Sequence, residues 1–142
     1  MSEPIIESIL SDPSADDVRA VVTALDAYNN ANSGMADQSG FAVIIRDPET
    51  RAAVGGLYAT DGYRWAFVRY LAIPEEYRGL GLGRRLIADA EKIAKARGYI
   101  GMWLDTFEFQ ARPFYEKLGY EIFGELEGAP GAIPRYFLKK RF

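Results

Sequence analysis

Apolar and polar positions recur with two different periods along this chain, and the changes of period divide it into elements. Ile5, Ile6, Ile9 and Leu10 form a short apolar run that reads as a first strand over residues 5–10. Asp12, Pro13 and Ser14 supply helix-start chemistry, with Ser14 and Asp17 spaced as a capping pair. Val18, Val21, Val22 and Leu25 then return at helical spacing, which predicts a helix over about residues 14–30. Asn29 to Gly34 ends it, and a polar linker continues to Gly40.

The period then shortens to two. Residues 41–46 and 52–60 read as strands, separated by the turn Asp47, Pro48, Glu49, Thr50 and followed by the turn Asp61, Gly62. Gly55 and Gly56 inside the second strand signal a bulge or a close neighbour. Residues 64–73 form the longest strand candidate. Trp65, Phe67, Leu71 and Ile73 share one face by alternation, interrupted by Arg69. These three segments predict an antiparallel meander. Leu86, Ile87, Ala90, Ile93 and Ala94 next form a helical apolar stripe ending near Arg97 and Gly98. Residues 100–106 read as a strand, which the intervening helix allows to lie parallel to residues 64–73 as a right-handed crossover. A short helix over residues 111–118 stops at Gly119. Residues 120–126 and 135–142 are two last strands, joined by a loop with Gly128, Pro130, Gly131 and Pro134. Residues 1–142 are expected to form one α/β domain with a mixed sheet.

Composition narrows the chemistry. The 142 residues suffice for one ordinary core, and the net charge of −3 argues against a nucleic-acid surface. No run approaches the roughly 18 apolar residues of a membrane span. Met1, Ser2, Glu3 and Pro4 lack the basic and apolar parts of a signal peptide, so the expected location is cytoplasmic. The chain has no cysteine and no histidine. That removes disulfides, thiolate metal sites, thiol nucleophiles, the Ser-His-Asp triad and the commonest metal ligand. An enzyme built from this sequence must work with carboxylates, tyrosine, backbone donors and its cofactor, a restriction that suits a reaction whose activated group arrives on a carrier. No metal is expected.

The richest segment runs from Leu71, Ala72 and Ile73 through Pro74 to Arg78, Gly79, Leu80, Gly81, Leu82, Gly83 and Arg84. An apolar strand stops at a proline, glycines follow at alternate positions, and a helix begins. Glycine lets backbone N–H groups turn toward a ligand, and a helix N-terminus adds unpaired donors and partial positive charge. Together they suit phosphate or pyrophosphate. A Walker loop needs Lys-Ser/Thr after its last glycine, whereas Gly83 is followed by Arg84 and Arg85. A dinucleotide fingerprint needs a glycine three residues after Gly81, where Arg84 stands. The pattern Arg78-x-x-Gly81-x-Gly83 instead resembles the acetyl-coenzyme A loop of the GNAT superfamily of N-acetyltransferases. About thirty residues later, Ala111, Arg112, Pro113, Phe114, Tyr115, Glu116, Lys117, Leu118, Gly119 and Tyr120 are similar to the second signature of that superfamily.

The resemblance implies a strongly curved mixed sheet of about seven strands, splayed in a V between the strands ending at Ile73 and Thr106, with helices on both faces. Acetyl-coenzyme A would lie in the V. The backbone at Leu71, Ala72 and Ile73 would pair with its acetyl and pantetheine arm. N–H groups over residues 78–84 would hold the pyrophosphate, and Tyr115 would hydrogen-bond the leaving sulfur. The asparagine that often stands three residues before the alanine is Glu108 here, a departure that touches the pantetheine contact.

The implied reaction is attack of an amine on the thioester. A backbone N–H near Leu71 is the natural oxyanion donor. Tyr115, with an ordinary pKa of about 10, suits a thiolate leaving group of about 8.5. An alkylamine of pKa about 10.4 is neutral only about once in 2,500 molecules at pH 7, a cost of roughly 4.6 kcal/mol. Of the carboxylates, Glu75 and Glu76 read as solvated loop residues, and the proton acceptor stays open among Asp105, Glu108 and a water chain with no assigned base. Arg78 either offers charge to phosphate or covers the loop with its stem. The acceptor is equally open among small amines, antibiotic amines and protein amines. A coenzyme A-binding sensor without turnover is the alternative function. Pairing through the apolar C-terminal strand Tyr136, Phe137, Leu138 would make a homodimer.

Overall fold

The computed structural model describes residues 2–35 and 39–142. The chain divides into two compact units, Met1–Ala36 and Asp37–Phe142. In the first, helix α1 spans Ala15–Ser33. The Asp17 N–H donates to Ser14 Oγ at 3.0 Å, so the predicted cap is formed. Asp16 and Asp17 occupy the first turn, where negative charge complements the helix dipole. The helix runs past the expected residue 30 because Gly34, at φ +68°, provides the left-handed exit. The expected first strand over residues 5–10 does not form. A strand exists by pairing, and this run has no partner strand among the described residues. Part of the predicted linker, residues 36–38, lies outside the described residues.

The second unit carries six strands: β1 Phe41–Arg46, β2 Ala53–Gly62, β3 Trp65–Ala72, β4 Gly101–Phe107, β5 Glu121–Leu126 and β6 Arg135–Arg141. Their order is β1-β2-β3-β4-β6-β5. β1 to β3 form the expected antiparallel meander, and β3 pairs parallel with β4 across helix α2, Leu82–Ala96. The count is one below the sequence expectation because residues 5–10 contribute no strand. The hairpin turn also moves. Gly62 still pairs with Trp65, and the turn is made by Tyr63 and Arg64 at φ 53° and 73°. β6 is hydrogen-bonded on both sides, to β4 and β5. The expected route to a homodimer through Tyr136, Phe137 and Leu138 is therefore closed, since only an edge strand has free backbone groups to offer.

Strand β3 contains the main departure from simple alternation. Tyr58 faces Tyr70, but the next residue, Ala59, faces Val68, so Arg69 is an extra residue in the ladder. Such a bulge shifts every later side chain by one face. Ala66 and Val68 are buried in the core, and beyond the bulge Leu71 and Ile73 pack against the same core. Trp65 and Phe67 therefore do not share a face with Leu71 and Ile73, as unbroken alternation predicted. Phe67 instead stacks on Trp103 with ring centroids 4.0 Å apart on the opposite face.

Past the bulge the sheet opens. β3 and β4 pair from Trp65↔Gly101 only as far as Val68↔Leu104. β3 then follows β2 to Ala72↔Gly56, while β4 follows β6 to Phe107↔Arg135. The predicted splay is present. Leu57, Ile87, Met102, Leu104 and Leu138 are fully buried beneath it, each stabilising the fold by about 1.5–3 kcal/mol. Helix α3, Arg112–Lys117, joins α2 on this core through Phe114, Tyr115 and Leu118. No described helix is long and apolar enough to cross a membrane.

Candidate active site

The glycine segment closes one side of the splay. After Pro74 a single 3-10 turn, Glu75–Tyr77, reverses the chain, and Arg78 Nε donates to the Ile73 carbonyl at 3.2 Å. Arg78 thus ties the loop back to the end of β3. Gly81 is the N-cap of α2 at φ +75°, and no side chain caps the helix. Its first-turn N–H groups are left to face a ligand. Gly83 is glycine for a different reason. A Cβ there would stand 3.0 Å from Phe114 Cζ and 3.3 Å from Ile73 Cδ1, so its absence lets α2 lie close to α3.

Between these elements is a cavity of about 560 Å³. Leu71, Ala72 and Ile73 form one wall, Arg78, Gly79, Gly81, Leu82, Gly83 and Arg84 another, and Ala111, Phe114 and Tyr115 a third. A second cavity of about 680 Å³ opens on the other side of the splay, walled by Phe67, Arg69, Asp105, Thr106, Gln110 and Arg135 among others. Leu71, Ala72, Ala111 and Tyr115 line both cavities. The two spaces therefore meet at Tyr115.

Tyr115 is held on α3 with its ring against Phe114 at 5.1 Å and Tyr120 at 6.3 Å. Its hydroxyl has no hydrogen-bond partner among the described residues. Burial raises its pKa above the ordinary 10, and the nearby Asp105 carboxylate raises it further. The phenol stays protonated at neutral pH, as a donor must.

The residues singled out from sequence separate here. Leu71, Ala72, Ile73, Arg78, Gly79, Gly81, Leu82, Gly83, Arg84 and Tyr115 converge on the first cavity. Leu80 is exposed and lines neither cavity. Asp105 lines the second cavity, but Arg135 engages its carboxylate at 2.8 Å. Glu108, Glu75 and Glu76 line neither. Glu108 is exposed, and its N–H is committed to the Pro134 carbonyl at 3.0 Å. Three residues escaped the sequence reading. Gln110 Oε1 accepts from the Phe107 N–H at 2.7 Å and the Thr106 hydroxyl at 3.1 Å, pinning the end of β4 before α3. Arg135 comes from a strand distant in sequence, and no local pattern announces it. Arg69 was signalled only as a break in apolar alternation.

Comparison with known proteins agrees with this architecture. Over 135 residues the chain is 33% identical to acetyltransferase Atu2258 of Agrobacterium fabrum, covering 94% of this chain and 98% of that one. It is 38% identical over 87 residues to the blasticidin-S acetyltransferase of Streptomyces morookaense, 61% of this chain and 64% of that one. A crystal structure of an acetyltransferase from Bacillus cereus, 25% identical, matches 95% of this chain and 98% of its own with a TM-score of 0.76. Residues 6–120, which take in both the glycine loop and the Tyr115 helix, match the family model described as acetyltransferase (GNAT) family, and the chain belongs to that family.

Proposed function

We propose that the chain transfers the acetyl group of acetyl-coenzyme A to an amine, on a small molecule or a protein. The observation that carries this reading is the position of Tyr115 at the junction of two cavities, one of them walled by the uncapped start of α2. Bound acetyl-coenzyme A supplies the activated thioester, and the chain does the rest. N–H groups at the start of α2, with Arg78 and Arg84, hold the pyrophosphate. Leu71 lies beyond the last β3–β4 pair, where the strand edge is free to position the acetyl arm and stabilise the oxyanion. Tyr115 donates its proton to the departing sulfur. Asp105 is engaged by Arg135 and Glu108 lies outside both cavities, so the amine proton is released to solvent rather than to a dedicated side chain.

Thermal stabilisation by acetyl-coenzyme A, but not by ATP or NAD, followed by thiol release with a panel of amines, tests this reading. Stabilisation without thiol release across the panel would favour a coenzyme A sensor. No stabilisation at saturating acetyl-coenzyme A removes both.

A further inference from the structure

The second cavity contains two arginines in different states. Arg135 spends Nε and Nη2 on Asp105 Oδ1, at 2.9 and 2.8 Å. Arg69 has no carboxylate partner among the described residues. Its Nε donates to Thr60 Oγ1 at 3.1 Å, and its guanidinium carbon lies 5.1 Å from the centre of the Phe67 ring. Phe67 is itself stacked on Trp103. The guanidinium is thus held by a neutral hydroxyl and an aromatic face, and its Nη groups have no hydrogen-bond partner among the described residues.

Its position in the backbone is equally specific. Arg69 is the inserted residue of the β3 bulge, two residues before Leu71. Bulges re-aim side chains near sites, and this one puts an arginine on the wall of the cavity that Tyr115 also lines. With Asp105 offset by Arg135, that wall keeps one uncompensated positive charge. A cavity meant for a purely cationic amine gains nothing from it. A planar fork held in advance is the chemistry that recognises carboxylate or phosphate.

We propose that Arg69 binds an oxyanion of the acceptor, so that the preferred substrate carries an amine and a carboxylate or phosphate in one molecule. This rests on the proposed acetyl transfer, with coenzyme A in the first cavity and the amine acceptor in the second. Arg69 stands two residues before Leu71 in β3, so one strand presents both the oxyanion site and the proposed acetyl site to the same acceptor. Arg69 is a specificity residue here and takes no part in the acetyl transfer itself.

The test uses matched pairs, β-alanine with β-alaninamide and O-phosphoethanolamine with ethanolamine. Binding to the coenzyme A-saturated protein is measured by calorimetry, which needs no turnover. The anionic member of at least one pair should bind about tenfold tighter, with the preference lost in Arg69→Gln and partly kept in Arg69→Lys. Equal binding within both pairs, including no binding by any member, overturns the proposal. So does a preference that survives Arg69→Gln. Coenzyme A affinity of Arg69→Gln reports separately on the fold. Failure of thiol release with every amine would count against the enzymatic reading alone, because the binding preference is read without chemistry.

Discussion

Arg135 Nε donates a hydrogen bond to Asp105 Oδ1 at 2.9 Å, and Nη2 forms an ion pair with the same oxygen at 2.8 Å. The pair faces the cavity that Tyr115 lines, and it changes what Asp105 can do. Its oxygen is already committed to the guanidinium, which stands between it and a role as the acceptor of the amine proton. Its charge acts on Tyr115 instead, adding to the effect of burial in keeping the phenol protonated.

Asp105→Asn therefore should not abolish turnover. Removing the carboxylate charge lets the Tyr115 pKa fall back toward 10, so the alkaline limb of the kcat profile should move to lower pH. The loss of kcat at pH 7 should stay within about tenfold, below the usual 10²–10⁴ contribution of a general base. A loss of about a thousandfold with an unshifted alkaline limb would restore Asp105 as the base.

Tyr115→Phe keeps the ring that packs between Phe114 and Tyr120 and removes only the donor. Turnover should fall by about 10²–10³. Affinity for acetyl-coenzyme A, measured by calorimetry, should change by less than about threefold. The alkaline limb assigned to the phenol should disappear in the residual activity. Turnover equal to that of the unaltered protein across the pH range would take Tyr115 out of the chemistry.

The parts of this molecule that were legible in its sequence are those whose causes are local. Glycines at 79, 81 and 83 before an apolar helical stripe announce an uncapped helix start, and Ser14 with Asp17 announces a cap. The crossover from β3 to β4 follows from a helix between two strands. The bulge was half visible: Arg69 broke the alternation, but a polar residue in an apolar face does not say that the face itself switches. The run over residues 5–10 has strand composition, yet pairing depends on a partner that local sequence does not specify. Arg135 meets Asp105 from 30 residues away, through the β4–β6 register. No pattern within either segment carries that information.

Lys140 and Glu91 join β6 to α2 through a bridge of 2.6 Å, with the Glu91 side chain only 10% exposed. Lys140→Met would leave that carboxylate buried without its cation. Unpairing a buried ion typically costs 3–5 kcal/mol, and because the Lys140 side chain is 31% exposed about 2 kcal/mol is expected here. The melting temperature should fall by roughly 5–8 °C. The double variant Glu91→Leu, Lys140→Met should recover most of that loss, since packed apolar groups replace such pairs at little net cost. A double variant no more stable than Lys140→Met alone would mean the loss comes from packing rather than charge.

Gly81 and Gly83 lie two residues apart in one motif, and the structure assigns them different constraints. At Gly81, φ is +75° and a Cβ would meet no protein atom within 4 Å. The restriction is conformational, about 1–2 kcal/mol for an ordinary L-residue and less for asparagine, which tolerates this region. Gly81→Asn should therefore keep the fold, with a melting temperature within a few degrees, while its side chain intrudes on the space proposed for the pyrophosphate. Acetyl-coenzyme A affinity should fall by tenfold or more. At Gly83 the restriction is steric, because the added carbon meets Phe114 and Ile73. Gly83→Ala gains up to about 1 kcal/mol of helix propensity, which offsets the crowding, so stability should change little. Affinity should still drop several-fold, because Phe114 lines the same cavity and must shift. Both variants can be read in one thermal titration with acetyl-coenzyme A. Unchanged affinity in a folded Gly81→Asn protein would show that this loop is a turn and not the grip on the coenzyme.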